Sequence, residues 1–412
     1  MLYDSAAAYT FQGEWKMRIT PASELKTRIA KLQNEMVIHS LKAVLMVQNA
    51  DLFYFTGAIQ QGALYVPAEG EALYLVRKDY ARARMESGLK EIIPFKSPRD
   101  IPGVLADFGY AMPETVGMEL DVVPVAVMQR FQAGLGGCAI IDATPLIRNV
   151  RAVKSAYEIN IMKDAALILD KVCKRVPDVL CEGLTDLELA AELEFVARKA
   201  GHQGLVRMRG FNNEIFFGHT FSGTDSAVPT YSDTPLGGVG LNPSFPQGAS
   251  YKKIRRNEPI TVDFVGVFDG YIVDQTRMFS IGELPEKLMK AYVDMVVIQE
   301  HAKQAAKPGV AWGDLYDECL KMANDMGYGD NFMGSNGAQV SFVGHGVGVE
   351  LDEYPFIARG LNDQKLKENM TFAFEPKAVF PGLGAVGIEN TFRVGENGLK
   401  HLTFSNQELI VL

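Results

Sequence analysis

The chain of 412 residues has only four cysteines, Cys138, Cys173, Cys181 and Cys319, and no two of them stand at CxxC spacing. That argues against a zinc cage and a disulfide frame, and the thiols read as buried or incidental groups of a reducing compartment. Positive charge is also short. Lys and Arg number 41 against 50 Asp and Glu, a net charge of −9, which argues against generic nucleic-acid binding. No apolar run approaches the roughly 20 residues that span a bilayer, so no membrane partner is expected. The opening stretch, MLYDSAAAYTFQGEWKMR, lacks a basic region followed by an apolar run. No signal peptide is expected, and the cytoplasm is the expected location. The first 150 residues have neither clustered His or carboxylates nor a Gly-rich phosphate loop.

What is present is an ordinary globular composition, 47% hydrophobic and 22% charged, with length for two or three domains. Residues 22–41 form an amphipathic helix on the spacing of Leu25, Ile29, Leu32 and Met36. Short apolar strands and helices alternate from there to about residue 148, which predicts an α/β domain over 1–150. The second half opens with two capping boxes, Ser155 with Glu158 and Thr185 with Glu188, each starting a helix. A strand is expected around 205–208. A stretch rich in Gly and Pro follows over 222–250, long enough to be functional or lid-like. A helix is expected over 285–306, and another capped by Asp314.

The informative stretch is 260–279, ITVDFVGVFDGYIVDQTRMF. Two apolar arms flank a turn signal and read as a β-hairpin. Each arm carries one acid, Asp263 and Asp274. Folded about 268–269 the two acids stand opposite each other, about 5 Å apart at Cβ; a turn at Asp269-Gly270 instead pairs Asp263 with position 276. The stretch 371–394, TFAFEPKAVFPGLGAVGIENTFRV, repeats the device, with Glu375 and Glu389 symmetric about Gly382. Carboxylates embedded this way repel and raise each other's pKa unless something positive lies between them. A metal ion is the simplest such partner. Between the hairpins lies His345 in SFVGHGVGVE, a fifth ligand. Two Asp, two Glu and one His suit a pair of divalent ions, Mn, Fe, Co or Zn. Such a pair polarises a carbonyl and activates water.

At these residues the sequence resembles the family of methionine aminopeptidase, aminopeptidase P, prolidase and creatinase. VDFVGVFDGYIVDQTR, GHGVG, FEP and IEN match that family's metal order and contexts. The resemblance implies an α/β N-terminal creatinase-like domain over 1–150 and an α+β pita-bread catalytic domain over 151–412. It implies a dinuclear peptidase of the Xaa-Pro aminopeptidase or dipeptidase type, most simply a homodimer acting on short peptides. In that scheme Asp274 and Glu389 bridge two metals, Asp263 binds one, His345 and Glu375 bind the other, and Glu375 is the general base.

This sequence departs from the pattern in three places. Where the peptidases carry a second His seven residues after the ligand His, it has Asp352, which when ionised accepts but does not donate. No His lies shortly before Asp263, and His219, delivered by the long loop, is the expected substitute. Lys377 replaces the usual Gly after Glu-Pro, and Gly387 stands where prolidase-like enzymes tend to have Arg. These departures keep a second reading open, a metalloenzyme of the same fold acting on a small non-peptide molecule by hydrolysis or elimination. A non-catalytic scaffold is a third reading, disfavoured by five buried ligands.

Overall fold

The computed structural model describes residues 17–412; most of the opening stretch read above for a signal peptide lies outside them. The described chain divides into two compact units, 17–151 and 152–412.

The first unit is a six-stranded mixed sheet. Its strands are β1 (Ala43–Met46), β2 (Gly62–Pro67), β3 (Leu73–Val76), β4 (Ile92–Pro94), β5 (Thr115–Met118) and β6 (Ala139–Asp142), in the order β4-β3-β2-β1-β5-β6. Its helices are α1 (Ala22–Ile38), α2 (Asn49–Thr56), α3 (Tyr80–Glu86), α4 (Ile101–Asp107), α5 (Val125–Gly134) and α6 (Thr144–Ala152). The periodic Leu25, Ile29, Leu32 and Met36 of α1 are all buried. β1 and β3 are buried along their whole length, as expected for central strands covered on both faces.

The second unit begins with α7 (Ala156–Val179) and α8 (Asp186–Lys199), and both expected capping boxes are formed reciprocally. Three antiparallel strands follow, β7 (Gly218–Ser222), β8 (Ile260–Phe268) and β9 (Tyr271–Ser280). After α9 (Glu286–Ala305) and α10 (Trp312–Asp325) come β10 (Phe342–Val347), β11 (Leu351–Ala358), β12 (Thr371–Phe374), β13 (Lys377–Phe380), β14 (Gly384–Gly387), β15 (Asn390–Gly395), β16 (Gly398–His401) and β17 (Ile410–Val411). They make a five-stranded sheet, β11-β10-β12-β15-β16, a four-stranded sheet, β17-β9-β8-β7, and the ribbon β13-β14. β9 meets β10, β12 and β15, so the sheets join face to face along the acidic hairpin. α7 packs on β8 and β9, and α9 packs on β13, β14 and β16. The apolar stripe of α9, Leu288, Ala291, Tyr292, Met295, Ile298 and Ala302, enters the main core with Trp312 and Phe374.

Three local expectations change. Residues 205–208 form no strand; only Met208 bridges Leu351, and Leu205 is half exposed. The helix assigned to an Asp314 cap starts earlier, with Ala311 at the cap and Asp314 inside the first turn, where its charge favours the helix dipole. Residues 222–250 are not a loose loop. They include a short 3₁₀ turn over Gly223–Ala227 and are tied by Gly238 N–H to Val228 O, Gly248 N–H to Gly237 O and Gly240 N–H to Gly248 O.

Candidate metal centre

The first acidic hairpin turns at Asp269-Gly270. Both residues have positive φ, 43° and 84°, the signature of a two-residue type I′ turn. Phe268 therefore pairs with Tyr271, and Asp263 with Thr276 rather than Asp274. A slip of two preserves the face. Asp263 and Asp274 remain on one side of the sheet but stand diagonally, about 7–8 Å apart instead of about 5 Å. The second hairpin keeps its expected register, with Lys377 opposite Gly387 and Phe374 opposite Asn390. Glu375 and Glu389 sit where this hairpin passes from the five-stranded sheet into the β13-β14 ribbon. His345 lies on β10, opposite Ala373.

These elements bring Asp263, Asp274, His345, Glu375 and Glu389 to one buried cavity of about 80 Å³. His219 lines it too, but from β7 rather than from the loop. Antiparallel pairing puts it opposite Asp263 despite their separation in sequence. Its ring packs on Phe221 and its Nε2 is buried without a partner. Burial, reinforced by the Lys377 charge, lowers its pKa to about 4, so it is neutral. Asp352, with φ 65°, also lines the cavity. Its Oδ1 lies 3.5 Å from His345 Nδ1, an ion-pair distance, while His345 Nε2 faces Glu375 Oε1 at 3.6 Å and Glu389 Oε1 at 3.8 Å. The glycines after His345 make room for the neighbouring strand, Gly346 for its backbone and Gly348 for the Glu353 side chain. A Cβ on Gly346 would lie 2.4 Å from the Tyr354 carbonyl, and one on Gly348 would lie 2.5 Å from Glu353.

The charges of the centre are strongly interdependent. Burial pushes the Glu375 carboxyl up to about 7, against the pull of Lys377. Burial acts the same way on Glu389, but Lys377 and His345 outweigh it and hold it down at about 2. For His345 burial favours the neutral ring, yet Glu389, Asp352 and Glu375 together raise it to about 10. Asp274 is raised well above its usual range by burial and by Glu389 and Asp263.

On one side the donor set fits a divalent ion. Asp274, His345 and Glu389 each offer a buried ligand atom, all within 4.8 Å of one another. On the other side stands the Lys377 ammonium, 2.8 Å from Asp263 Oδ2, 2.8 Å from Glu375 Oε2 and 3.3 Å from Glu389 Oε2. This ammonium therefore contacts three of the five residues that the resemblance assigns to two ions.

Sequence reasoning missed the groups that hold the acids in place. Thr276 Oγ1 donates to Glu389 Oε2 at 2.7 Å. Arg277 donates to the Glu389 carbonyl at 2.7 Å and to Asn390 Oδ1 at 2.7 Å. Thr391 Oγ1 accepts from Asp274 N–H at 2.8 Å and donates to its carbonyl at 3.0 Å. A buried Arg and three hydroxyl or amide residues directly beside the acids were the available signal. The cavity opens toward a cleft of about 620 Å³ that shares Phe342, Asp352 and Ser232 through Thr234 with it. Tyr231 and Pro235 of the 222–250 segment line this cleft, while Phe245 of the same segment packs on Phe216.

A buried carboxylate-and-histidine centre between two sheets, in a chain that also carries an α/β unit, defines a metallohydrolase class. Metallopeptidase family M24 matches residues 160–396, and the creatinase/prolidase N-terminal domain matches 28–153. The chain is 29% identical to an Xaa-Pro dipeptidase of Pyrococcus furiosus over 94% of this chain and all of that one. It is 27% identical to a putative dipeptidase, YkvY, of Bacillus subtilis over 72% of this chain and 73% of that one. Its structure resembles that of the prolidase of Pyrococcus horikoshii, with TM-score 0.76 and 26% identity over 93% of this chain and all of that one. The chain belongs to metallopeptidase family M24, with the creatinase-type N-terminal domain and pita-bread catalytic fold that the resemblance implied.

Proposed function

We propose that the protein is a metal-dependent peptidase hydrolysing the bond before proline in short peptides, as a dipeptidase or an aminopeptidase. The observation that carries this reading is the convergence of Asp263, Asp274, His345, Glu375 and Glu389 on one buried cavity, with the unpartnered Nε2 of His219 facing it. Its relatives named Xaa-Pro dipeptidase support the substrate class. A divalent ion, Mn, Co, Fe or Zn, held by Asp274, His345 and Glu389 would supply Lewis acidity to the scissile carbonyl and to water.

The chain's own groups supply the rest. Glu375, held near neutrality, takes the proton of the attacking water and passes it to the leaving amine. Neutral His219, with its proton on Nε2, donates to the oxygen on which negative charge develops. Asp352 cannot do this. At 3.5 Å from His345 Nδ1, without a hydrogen bond, it stands where the outer partner of a ligating His belongs, and its charge favours a proton on Nδ1 that leaves Nε2 for the metal. Tyr231 and Pro235 narrow the cleft for short substrates. A homodimer and a cytoplasmic setting are part of the proposal. The latter is supported by four unpaired cysteines.

A second reading, a small non-peptide substrate, is favoured by Asp352 and Lys377 in this shell. The deciding experiment measures hydrolysis of matched Xaa-Pro and Xaa-Ala dipeptides and tripeptides by protein stripped and reloaded with each metal. We expect metal-dependent cleavage selective for Xaa-Pro, with kcat lowered about 10²–10⁴-fold in Glu375→Gln. Bound metal without cleavage of any peptide would transfer the proposal to the small-molecule reading.

A further inference from the structure

The Lys377 side chain is 1% exposed, and nothing in the proposed chemistry uses it. An ammonium has three N–H donors and no acceptor. Here three carboxylate oxygens, from Asp263, Glu375 and Glu389, surround Nζ at 2.8, 2.8 and 3.3 Å. Its donors are therefore fully used, and they are used on ligands that a second metal ion would need. Asp263 makes the point most sharply. Resemblance assigns it to one metal, yet it is outside the group of Asp274, His345 and Glu389 whose ligand atoms lie close enough to share an ion.

The strand opposite is adapted to this lysine. Lys377 on β13 pairs with Gly387 on β14. A Cβ at 387 would lie 2.6 Å from Lys377 Cγ and 2.6 Å from the Pro376 carbonyl. The two departures from the family pattern, Lys at 377 and Gly at 387, face each other on this rung. The lysine stem, together with the Pro376 carbonyl and Lys377 Cα of its own strand, occupies the space beside β14, and glycine at 387 leaves that space open.

We infer that Lys377 is a built-in counter-ion in the place of one metal, so that the centre takes a single divalent ion, held by Asp274, His345 and Glu389. The inference rests on the metal-binding reading of the centre but not on its substrate. Charge supports it. One ammonium and one divalent ion bring the four carboxylates to a net charge of about −1, so the ammonium supplies part of the neutralisation that a second ion would otherwise supply. Distance supports it as well, because paired catalytic metals lie about 3.5–4 Å apart and the ammonium already fills the gap between Asp263 and Glu389. Lys377 thus contributes a fixed positive charge where the two-metal enzymes have a Lewis acid.

The test is metal stoichiometry. Full-length protein is stripped with chelator, reloaded with excess Mn²⁺ or Zn²⁺, freed of unbound ion and analysed for metal per chain. We expect one ion in the wild type and two in Lys377→Gly, with the variant's fold checked by circular dichroism. Electron paramagnetic resonance of the Mn²⁺-loaded wild type should show an isolated ion. A wild type holding two ions with an exchange-coupled signal overturns the inference, and so does a folded wild type that takes none. One ion in both proteins removes Lys377 as the cause. If Lys377→Gly does not fold, the wild-type stoichiometry and resonance signal still decide. Peptide cleavage does not enter the readout, so a wrong substrate leaves this result intact.

Discussion

Single buried charges set much of this protein's behaviour, and each must find a partner. In the N-terminal unit Glu119 is fully buried, and its Oε1 accepts from Val47 N–H at 2.8 Å and Gln48 N–H at 3.1 Å. Its Oε2 has no partner. Burial, followed by the nearby Asp51 charge, pushes the carboxyl up from 4.5 to about 8. The folded state therefore binds this proton more tightly than the unfolded chain does. The stability it contributes is complete below pH 4.5 and is lost as pH rises through 8. Glu119→Gln removes the titration. Thermal melts across pH 5–8.5 should show the wild type falling relative to the variant by at least about 1.4 kcal/mol, the worth of one pKa unit. Parallel curves would place the proton elsewhere.

Elements decide which acids share a face. The type I′ turn at Asp269-Gly270 moved the register of β8 and β9 by two, which kept Asp263 and Asp274 on the same side while spacing them diagonally. The β13-β14 rung makes a prediction of its own. Gly387→Ala places a methyl group 2.6 Å from Lys377 Cγ, and overpacking of this kind costs about 1–3 kcal/mol. Chemical denaturation should show that loss. Adding Lys377→Gly should recover part of it, a non-additivity expected of residues in contact. If the two substitutions add independently, the lysine stem does not fill this space.

At the scale of the molecule, the catalytic unit collects four carboxylates from different parts of the chain into one buried cluster. A ligand that binds only this folded arrangement stabilises it by mass action, about 2.7 kcal/mol when free metal is 100-fold above its dissociation constant. Stripping the metal should lower the melting temperature by several degrees, and adding it back should restore it in a concentration-dependent way. A melting curve indifferent to Mn²⁺, Zn²⁺ and chelator would contradict a folded-state metal centre. Among the described residues no helix is long and apolar enough to cross a membrane.

The sequence by itself determined the N-terminal α/β unit, both capping boxes and the candidate ligands, because each rests on spacing along a few residues of chain. Asp263, Asp274, His345, Glu375 and Glu389 stand in local contexts distinctive enough to be read one by one. Tertiary structure alone decided what depends on strands meeting across long separations. Antiparallel pairing put His219, on β7, opposite Asp263, where the sequence reading had it delivered by the long loop. A two-residue turn selected one of two open registers. Lys377 and Gly387 were visible as oddities, but only their pairing across β13 and β14 revealed that one fills the space the other vacates. A lysine's flexible stem gives no hint in sequence of where its charge comes to rest; three converging carboxylates fix it, and those come together only when the sheets close.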